Sequence, residues 1–288
     1  MRWTPGDRGN IEDLRGRSGI GMKAGGLGIG GLLVLLLLSW ATGVDFLSLV
    51  GSGGGPPSDS VGTSGTSGNV ATTPEEEKTV DFVGAVMDDT QVTWQQLLGS
   101  RYQPTKLRLF RDATDQSACG FAESASGPFY CPRDHYVYLD LSFFNELRSK
   151  FGASGDFAEA YVLAHEVGHH VQNLLGIDAQ MRRLQSQDPG AANQLSVRLE
   201  LQADCLAGVW AHATNKVGRG DKGLMELEPG DLEEGLKAAA AIGDDRIQRM
   251  STGRVFPDKF THGTSEQRVT WLRRGFDNGT PDACQTFQ

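Results

Sequence analysis

The sequence predicts an α+β domain, mainly helical with a small β-sheet, and three observations predict it. From residue 142 onward apolar residues recur at helical spacing, punctuated by Gly152, Gly155, Gly176 and Gly253. Ahead of that run, Lys106–Phe110 and His135–Asp140 alternate apolar and polar residues as strands do. The strands precede the helices instead of alternating with them, which is the α+β order. The 288 residues with their 38 Gly are also unevenly composed, so the domain occupies only part of the chain.

Taken in order, residues 1–23 set Arg2, Arg8, Arg15, Arg17 and Lys23 against Asp7, Glu12 and Asp13, with no apolar periodicity. Residues 24–50 are expected to form a transmembrane helix. Ala24 to Val44 is uncharged, and its about 21 residues reach roughly 32 Å as a helix, enough to span a hydrocarbon core. A secretory signal peptide is the alternative, but the apolar stretch is long for one and no A-x-A site follows. Basic residues before the span and Asp45 after it predict a single-pass cell-membrane protein with residues 1–23 cytoplasmic and the rest extracytoplasmic. Residues 51–78 are mostly Gly, Ser, Thr and Pro, the composition of a flexible linker. Pro74 and Glu75–Glu77 look like the first turn of a helix, with acids at its positive end.

The domain is placed at residues 79–288. Val80–Met87 and Trp94–Leu98 read as short helices ahead of the strands. Ser142–Phe151, Asp156–Leu175, Ala179–Gln187, Ala191–Asn215, Asp231–Met250 and Ser265–Phe276 read as helices after them. A formal net charge of −9 excludes a general nucleic-acid binder, which needs a basic footprint.

The motif richest in chemistry is His165-Glu166-Val167-Gly168-His169. On a helix His165 and His169 lie one turn apart on one face, so both imidazoles can reach one metal ion. Glu166 is about 100° round from His165, where its carboxylate can accept a proton from an attacking water. His170 is out of phase and is not expected to be a ligand. The plain alternative is two histidines on an amphipathic helix. A catalytic Zn2+ takes three protein ligands and keeps one position open. The pattern H-E-x-x-H-x-x-G-x-x-H is excluded as the source of the third, because Gln172 and Leu175 occupy its Gly and His positions. The candidate is Glu200, with Asp204 one turn on. Asp204 has Leu201, Ala207 and Gly208 around it and is expected to be buried, holding the far nitrogen of a ligand His. Two solvated acids on a surface helix, or Asp204 itself as the ligand, are the alternatives. Tyr161, one turn before His165, lines the cleft or packs in the core.

His165–His169 followed by Glu200-x-x-x-Asp204 resembles the gluzincin metallopeptidases. More closely, residues from about 80 to 287 resemble the bacterial neutral zinc metallopeptidase family. The resemblance is carried by Cys119-Gly120, Gly127-Pro-Phe-Tyr-Cys-Pro132, Val137-Tyr-Leu-Asp140, Ala164-His-Glu-Val-Gly-His169, Glu200-Leu-Gln-Ala-Asp-Cys205, Ile242-Gly-Asp-Asp-Arg-Ile-Gln248 and Thr261-His-Gly-Thr-Ser-Glu-Gln-Arg268. The Met1-Arg-Trp start and single span fit that family too. The resemblance implies a zincin-like fold, one Zn2+ per chain and peptidase activity on peptide or protein substrates. Thr261–Arg268 is similar to the Ser/Thr-His-Pro…Arg segment of membrane-linked zinc peptidases, with Gly263 in place of Pro. That likeness implies that His262 hydrogen-bonds an oxyanion and that Arg268 anchors substrate or braces the site. Otherwise Thr261 or Thr264 caps a helix and Arg268 makes an exposed ion pair. Asp244-Asp245-Arg246 reads as a helix break with a local salt bridge.

Four Cys are too few for a disulfide scaffold. Cys119 and Cys131 bracket a short Gly- and Pro-containing loop suited to a local disulfide. Cys205 and Cys284 either form a second bridge, pinning the C-terminal segment to the Glu200 helix, or remain buried thiols. No C-x-x-C pair offers a cysteine zinc site. The expected function is hydrolysis of peptide bonds with Glu166 as general base. The rival is a non-enzymatic envelope protein with a structural zinc.

Overall fold

Thr73 starts the first long helix. Its side-chain oxygen accepts the Glu76 N–H at 3.1 Å, Pro74 takes the first turn and three glutamates follow. The result, in a computed structural model that describes residues 1–6, 8–16, 72–124, 127–216, 218–220 and 223–287, is α1 (Pro74–Leu98). It is one helix where the polar stretch Asp88–Thr93 suggests a break. The polar side chains there face inward and find partners. The buried Asp89 carboxylate accepts from Trp210 Nε1 at 2.7 Å, Arg219 Nη2 at 2.9 Å and the Met225 N–H at 2.9 Å.

The sheet has four strands in the order β1 (Ile11–Asp13), β2 (Lys106–Phe110), β6 (Tyr136–Asp140) and β5 (Phe129–Cys131). The first three run parallel and β5 is antiparallel to β6, with Tyr130 opposite Val137. A separate two-stranded ladder joins β3 (Ala113–Thr114) to β4 (Ala122–Glu123). Only β2 and β6 were long enough to show alternation. The helices after β6 are α2 (Ser142–Ser149), α3 (Asp156–Leu174), α4 (Ile177–Gln187), α5 (Ala192–Thr214), α6 (Asp231–Ala241), α7 (Asp244–Thr252) and α8 (Ser265–Asn278). The expected single helix over 231–250 is two. Gly243 lies against α8, where a Cβ would come 2.3 Å from the Ser265 nitrogen, and the chain turns there. Trp94, Trp210, Phe157 and Leu139 lie in one continuous core, with Phe157 stacked on Trp210 at 5.8 Å.

Two expectations are corrected. The expected span over 24–50 and linker over 51–78 fall almost wholly outside the described residues, and no helix among the described residues is long and apolar enough to cross a membrane. The expected topology, with residues 1–23 and the domain on opposite sides of a membrane, also meets a physical obstacle. Met1–Gly16 belong to the same compact unit as Val70–Gln288. β1 is a strand of the domain's sheet, with Ile11 opposite Leu107. Arg8 reaches Glu77 and Asp81, and the buried Arg15 donates to Glu76 at 2.9 Å and Glu77 at 3.1 Å. Residues that share a sheet share a compartment. The single-pass reading of fold and localisation is therefore withdrawn.

Candidate metal centre

Gly168, the fourth residue of the histidine motif, sets the site. It faces α5 so closely that a Cβ would come 3.0 Å from the Ala203 carbonyl oxygen, so α3 and α5 touch backbone to backbone there. This contact carries Glu200 and Asp204 of α5 to His165 and His169 of α3. The donor atoms of His165, His169 and Glu200 lie within 4.8 Å of one another. His165 Nε2 is 3.1 Å from Glu200 Oε2, and His169 Nε2 is 3.5 Å from Oε1.

The outer nitrogens are committed elsewhere. His165 Nδ1–H donates to Asp204 Oδ1 at 2.8 Å, and His169 Nδ1–H donates to Gln172 Oε1 at 2.8 Å. Each Nε2 therefore presents a lone pair toward a carboxylate, an arrangement that needs a cation between them. A metal ion or a proton can take that place. Burial opposes protonation of His165, but Asp204 and Glu200 outweigh it and raise the imidazole to about 10. His169 is raised as well, with burial again overcome by Glu200, while the two imidazoles overcome burial to hold Glu200 well below the usual carboxylate range. Two imidazoles, one carboxylate and oriented outer nitrogens fit zinc by donor chemistry.

Asp204 is fully buried. Besides His165, its Oδ1 accepts from Tyr161 Oη at 2.6 Å and Arg268 Nη2 at 2.9 Å, and Oδ2 accepts from Arg268 Nε at 2.9 Å. Burial would raise this carboxyl, but Arg268 and His165 prevail and hold it at about 2. Arg268 is buried as well and donates to the Ile242 carbonyl at 3.2 Å. It braces the site from behind; the exposed ion pair is absent. Glycines again permit the approach: a Cβ at Gly275 of α8 would come 1.8 Å from the Cys205 carbonyl oxygen, and one at Gly208 2.1 Å from that of Leu272.

Gln172 was missed as a site residue. Its amide donates to the Leu199 carbonyl at 2.7 Å and to Gln202 Oε1 at 3.1 Å, and Gln202 donates to the Cys284 carbonyl at 2.8 Å. Disulfides join Cys205 to Cys284 and Cys119 to Cys131. The first anchors the far end of the relay that orients His169. The available signal was spacing: Gln172 lies three residues after His169, on the same helical face.

Glu166 is buried beside the two imidazoles and meets the Tyr130 backbone N–H. Burial raises its carboxyl. His170 points elsewhere, donating from Nε2 to the Gln103 carbonyl at 2.6 Å and accepting the Tyr130 hydroxyl at 2.9 Å. His262 lines the cleft half-exposed, with Nδ1 3.2 Å from Asp244 Oδ1. The hydrogen bond to Asp244 raises the imidazole against burial. The same Asp244 accepts the backbone N–H groups of Thr261 and His262 at 2.7 Å and Gly263 at 3.1 Å. Asp244 thus shapes the His262 loop, and Asp245 accepts the Ser265 N–H and hydroxyl. Thr264 caps α8 with a full capping box. His165, Glu166, His169, Gln172, Glu200, His262 and Arg268 border one cleft of about 640 Å³ with apolar walls that include Phe129, Phe143, Phe151 and Ile242.

Fold and site together define a protein with a donor set of zinc's ligand preference, able to hold a divalent ion in an open cleft. The chain belongs to the family described as "Putative neutral zinc metallopeptidase", whose pattern matches residues 1–287. It is 47% identical over 300 residues to "Uncharacterized protein YpfJ" of Escherichia coli, covering 100% of this chain and 99% of that one. It is 46% identical over 209 residues to "Uncharacterized protein Rv2575" of Mycobacterium tuberculosis, covering 71% of this chain and 69% of that one. No solved structure matches it.

Proposed function

We propose that the protein is a gluzincin-like zinc metallopeptidase that hydrolyses peptide bonds within its cleft. The convergence of His165 Nε2, His169 Nε2 and the Glu200 carboxylate, with Glu166 beside them, carries this reading. Zinc, when held by these three residues, supplies a Lewis acid for the scissile carbonyl and acidifies water.

The chain's own groups do the rest. A Glu166 carboxylate oxygen accepts the proton of the attacking water and later returns it to the leaving amine nitrogen. Its burial, which raises the carboxyl, suits it to both transfers. Asp204 keeps the His165 proton on Nδ1, and Gln172 does the same for His169. With Nδ1 braced by Asp244, His262 has Nε2 left for the cleft, where its imidazolium donates to the developing oxyanion. Among the described residues β5 pairs with β6 alone, and its other edge offers an extended substrate backbone a partner strand.

The rival reading, a structural zinc, calls for four protein ligands, whereas the described residues bring three donors together. The test is Glu166→Gln in the full chain. Zinc content should stay at the wild-type level while cleavage of a peptide library falls at least about a hundredfold. Undiminished turnover would remove Glu166 from the chemistry.

A further inference from the structure

Beyond the metal centre, one charged group in the cleft has no complete structural role. Asp178 stands in the first turn of α4, its side chain only 10% exposed, and it lines the cleft. Oδ2 accepts from Arg182 Nη1 at 2.9 Å. Oδ1 is buried and has no hydrogen-bond partner among the described residues. A buried carboxylate oxygen without a donor costs free energy, and that cost is recovered only when a donor arrives.

The surroundings suit a cationic donor. The acids bordering the cleft are Glu146, Glu166, Asp178 and Glu200, against Arg182, Arg268 and three histidines, and Glu200, His165 and His169 belong to the candidate metal centre. Arg268 is already bound to Asp204, and Arg182 occupies the other oxygen of Asp178. Met181, one turn after Asp178, and the Tyr130 ring offer apolar surface along which an aliphatic stem can lie. Burial chiefly raises the Tyr130 phenol, and the nearby Asp178 charge adds to that.

We infer that Asp178 is a specificity residue whose unpaired carboxylate oxygen receives the ammonium or guanidinium of a substrate Lys or Arg side chain. The inference rests on the peptidase reading and names the substrate class. A charge-assisted hydrogen bond in a buried setting is expected to favour such substrates roughly tenfold to hundredfold over uncharged isosteres.

The experiment profiles zinc-loaded full-length protein on N-acetylated peptides carrying Lys, Arg or norleucine at each position in turn, with a free-amine series lacking Lys and Arg. Wild type should prefer one basic position through KM. Asp178→Asn should abolish the preference, Asp178→Glu should retain part of it, and Arg182→Ala, which releases Oδ2, should strengthen it. Equal losses on all peptides, or a preference unchanged in Asp178→Asn, would overturn the inference. So would a preference for free amino termini, which would make the recognised cation the α-ammonium. Binding separates its failure from that of the peptidase reading. If wild type cleaves nothing, Glu166→Gln protein should still bind the Lys peptide about tenfold tighter than its norleucine counterpart. Adding Asp178→Asn should erase that difference, and a difference that survives refutes the role of Asp178.

Discussion

Replacing Asp204 by Asn tests whether this carboxylate holds the site together. It keeps the side chain's shape and removes its charge. The native oxygens accept four donors: Tyr161 Oη, His165 Nδ1 and Arg268 Nη2 on Oδ1, and Arg268 Nε on Oδ2. An amide oxygen can keep one side of that set, but the NH2 on the other side then faces a donor. Arg268, only 3% exposed, is left with its charge uncompensated. Breaking a buried pair in this way costs about 3–5 kcal/mol. His165 also loses the anion that fixes its tautomer, which should weaken zinc binding by roughly tenfold to hundredfold.

Guanidinium unfolding of the zinc-free protein measures the first quantity, and competition with a chelator measures the second. A double-mutant cycle separates them from simple loss of packing. Arg268→Met alone should be as damaging as Asp204→Asn, because it strands the carboxylate. The double variant should cost less than the sum of the two by about 2 kcal/mol or more. If Asp204→Asn stays within about 0.5 kcal/mol of wild type, the level of an ordinary surface change, the account of the buried pair fails. Unchanged zinc affinity would separately refute the claim that Asp204 orients a ligand.

Three further outcomes are expected. Gly275→Ala should destabilise the fold by several kcal/mol in chemical denaturation, since its methyl would meet the Cys205 carbonyl oxygen at 1.8 Å; a neutral result would mean that α5 and α8 can separate freely. Burial lowers the His170 imidazole to about 4 against an ordinary 6.5, so its stabilising contribution is full above 6.5 and is lost as pH falls toward 4. That loss amounts to about 3 kcal/mol, and denaturation of His170→Gln across this window should show a flatter dependence on pH than wild type. Replacing Cys205 and Cys284 by Ser opens a closure across 79 residues, which should cost about 4 kcal/mol by chain entropy. It should also weaken zinc binding through the Gln202–Gln172–His169 relay, and zinc affinity equal to wild type would show the relay to be idle.

Legibility followed the length of each signal. α3 and α5 repeat their apolar pattern over 19 and 23 residues, so their existence, and the faces bearing His165, His169, Glu200 and Asp204, were readable. β5 has three residues and β3 and β4 two each, too few for any period to register. Gln172 was missed as a site residue, and Asp244 and Tyr161 were noticed without their partners, for another reason. Each acts by bonding to a group that only the tertiary fold brings near, and a Gln or Tyr inside a helix carries no local mark of such a partner. Arg268 and His262 were readable only through likeness to a family segment. In the structure Arg268 is buried against Asp204, and His262 is half-exposed on the cleft wall.

The first sixteen residues show the limit most plainly. Read locally, they are a charged, aperiodic segment ahead of an apolar stretch, and charge asymmetry then assigns them a side of a membrane. Their charges serve another purpose, because Arg8 and Arg15 are matched to Glu76, Glu77 and Asp81 on the first turns of α1. Glu76 and Glu77 had been read only as helix-start residues complementing the dipole. A glutamate can do both, and the helix-start role alone is visible without knowing that β1 lies next to β2. Arg15 meets Glu76 and Glu77, pairings about sixty residues apart in sequence, a distance over which composition carries no information about contact.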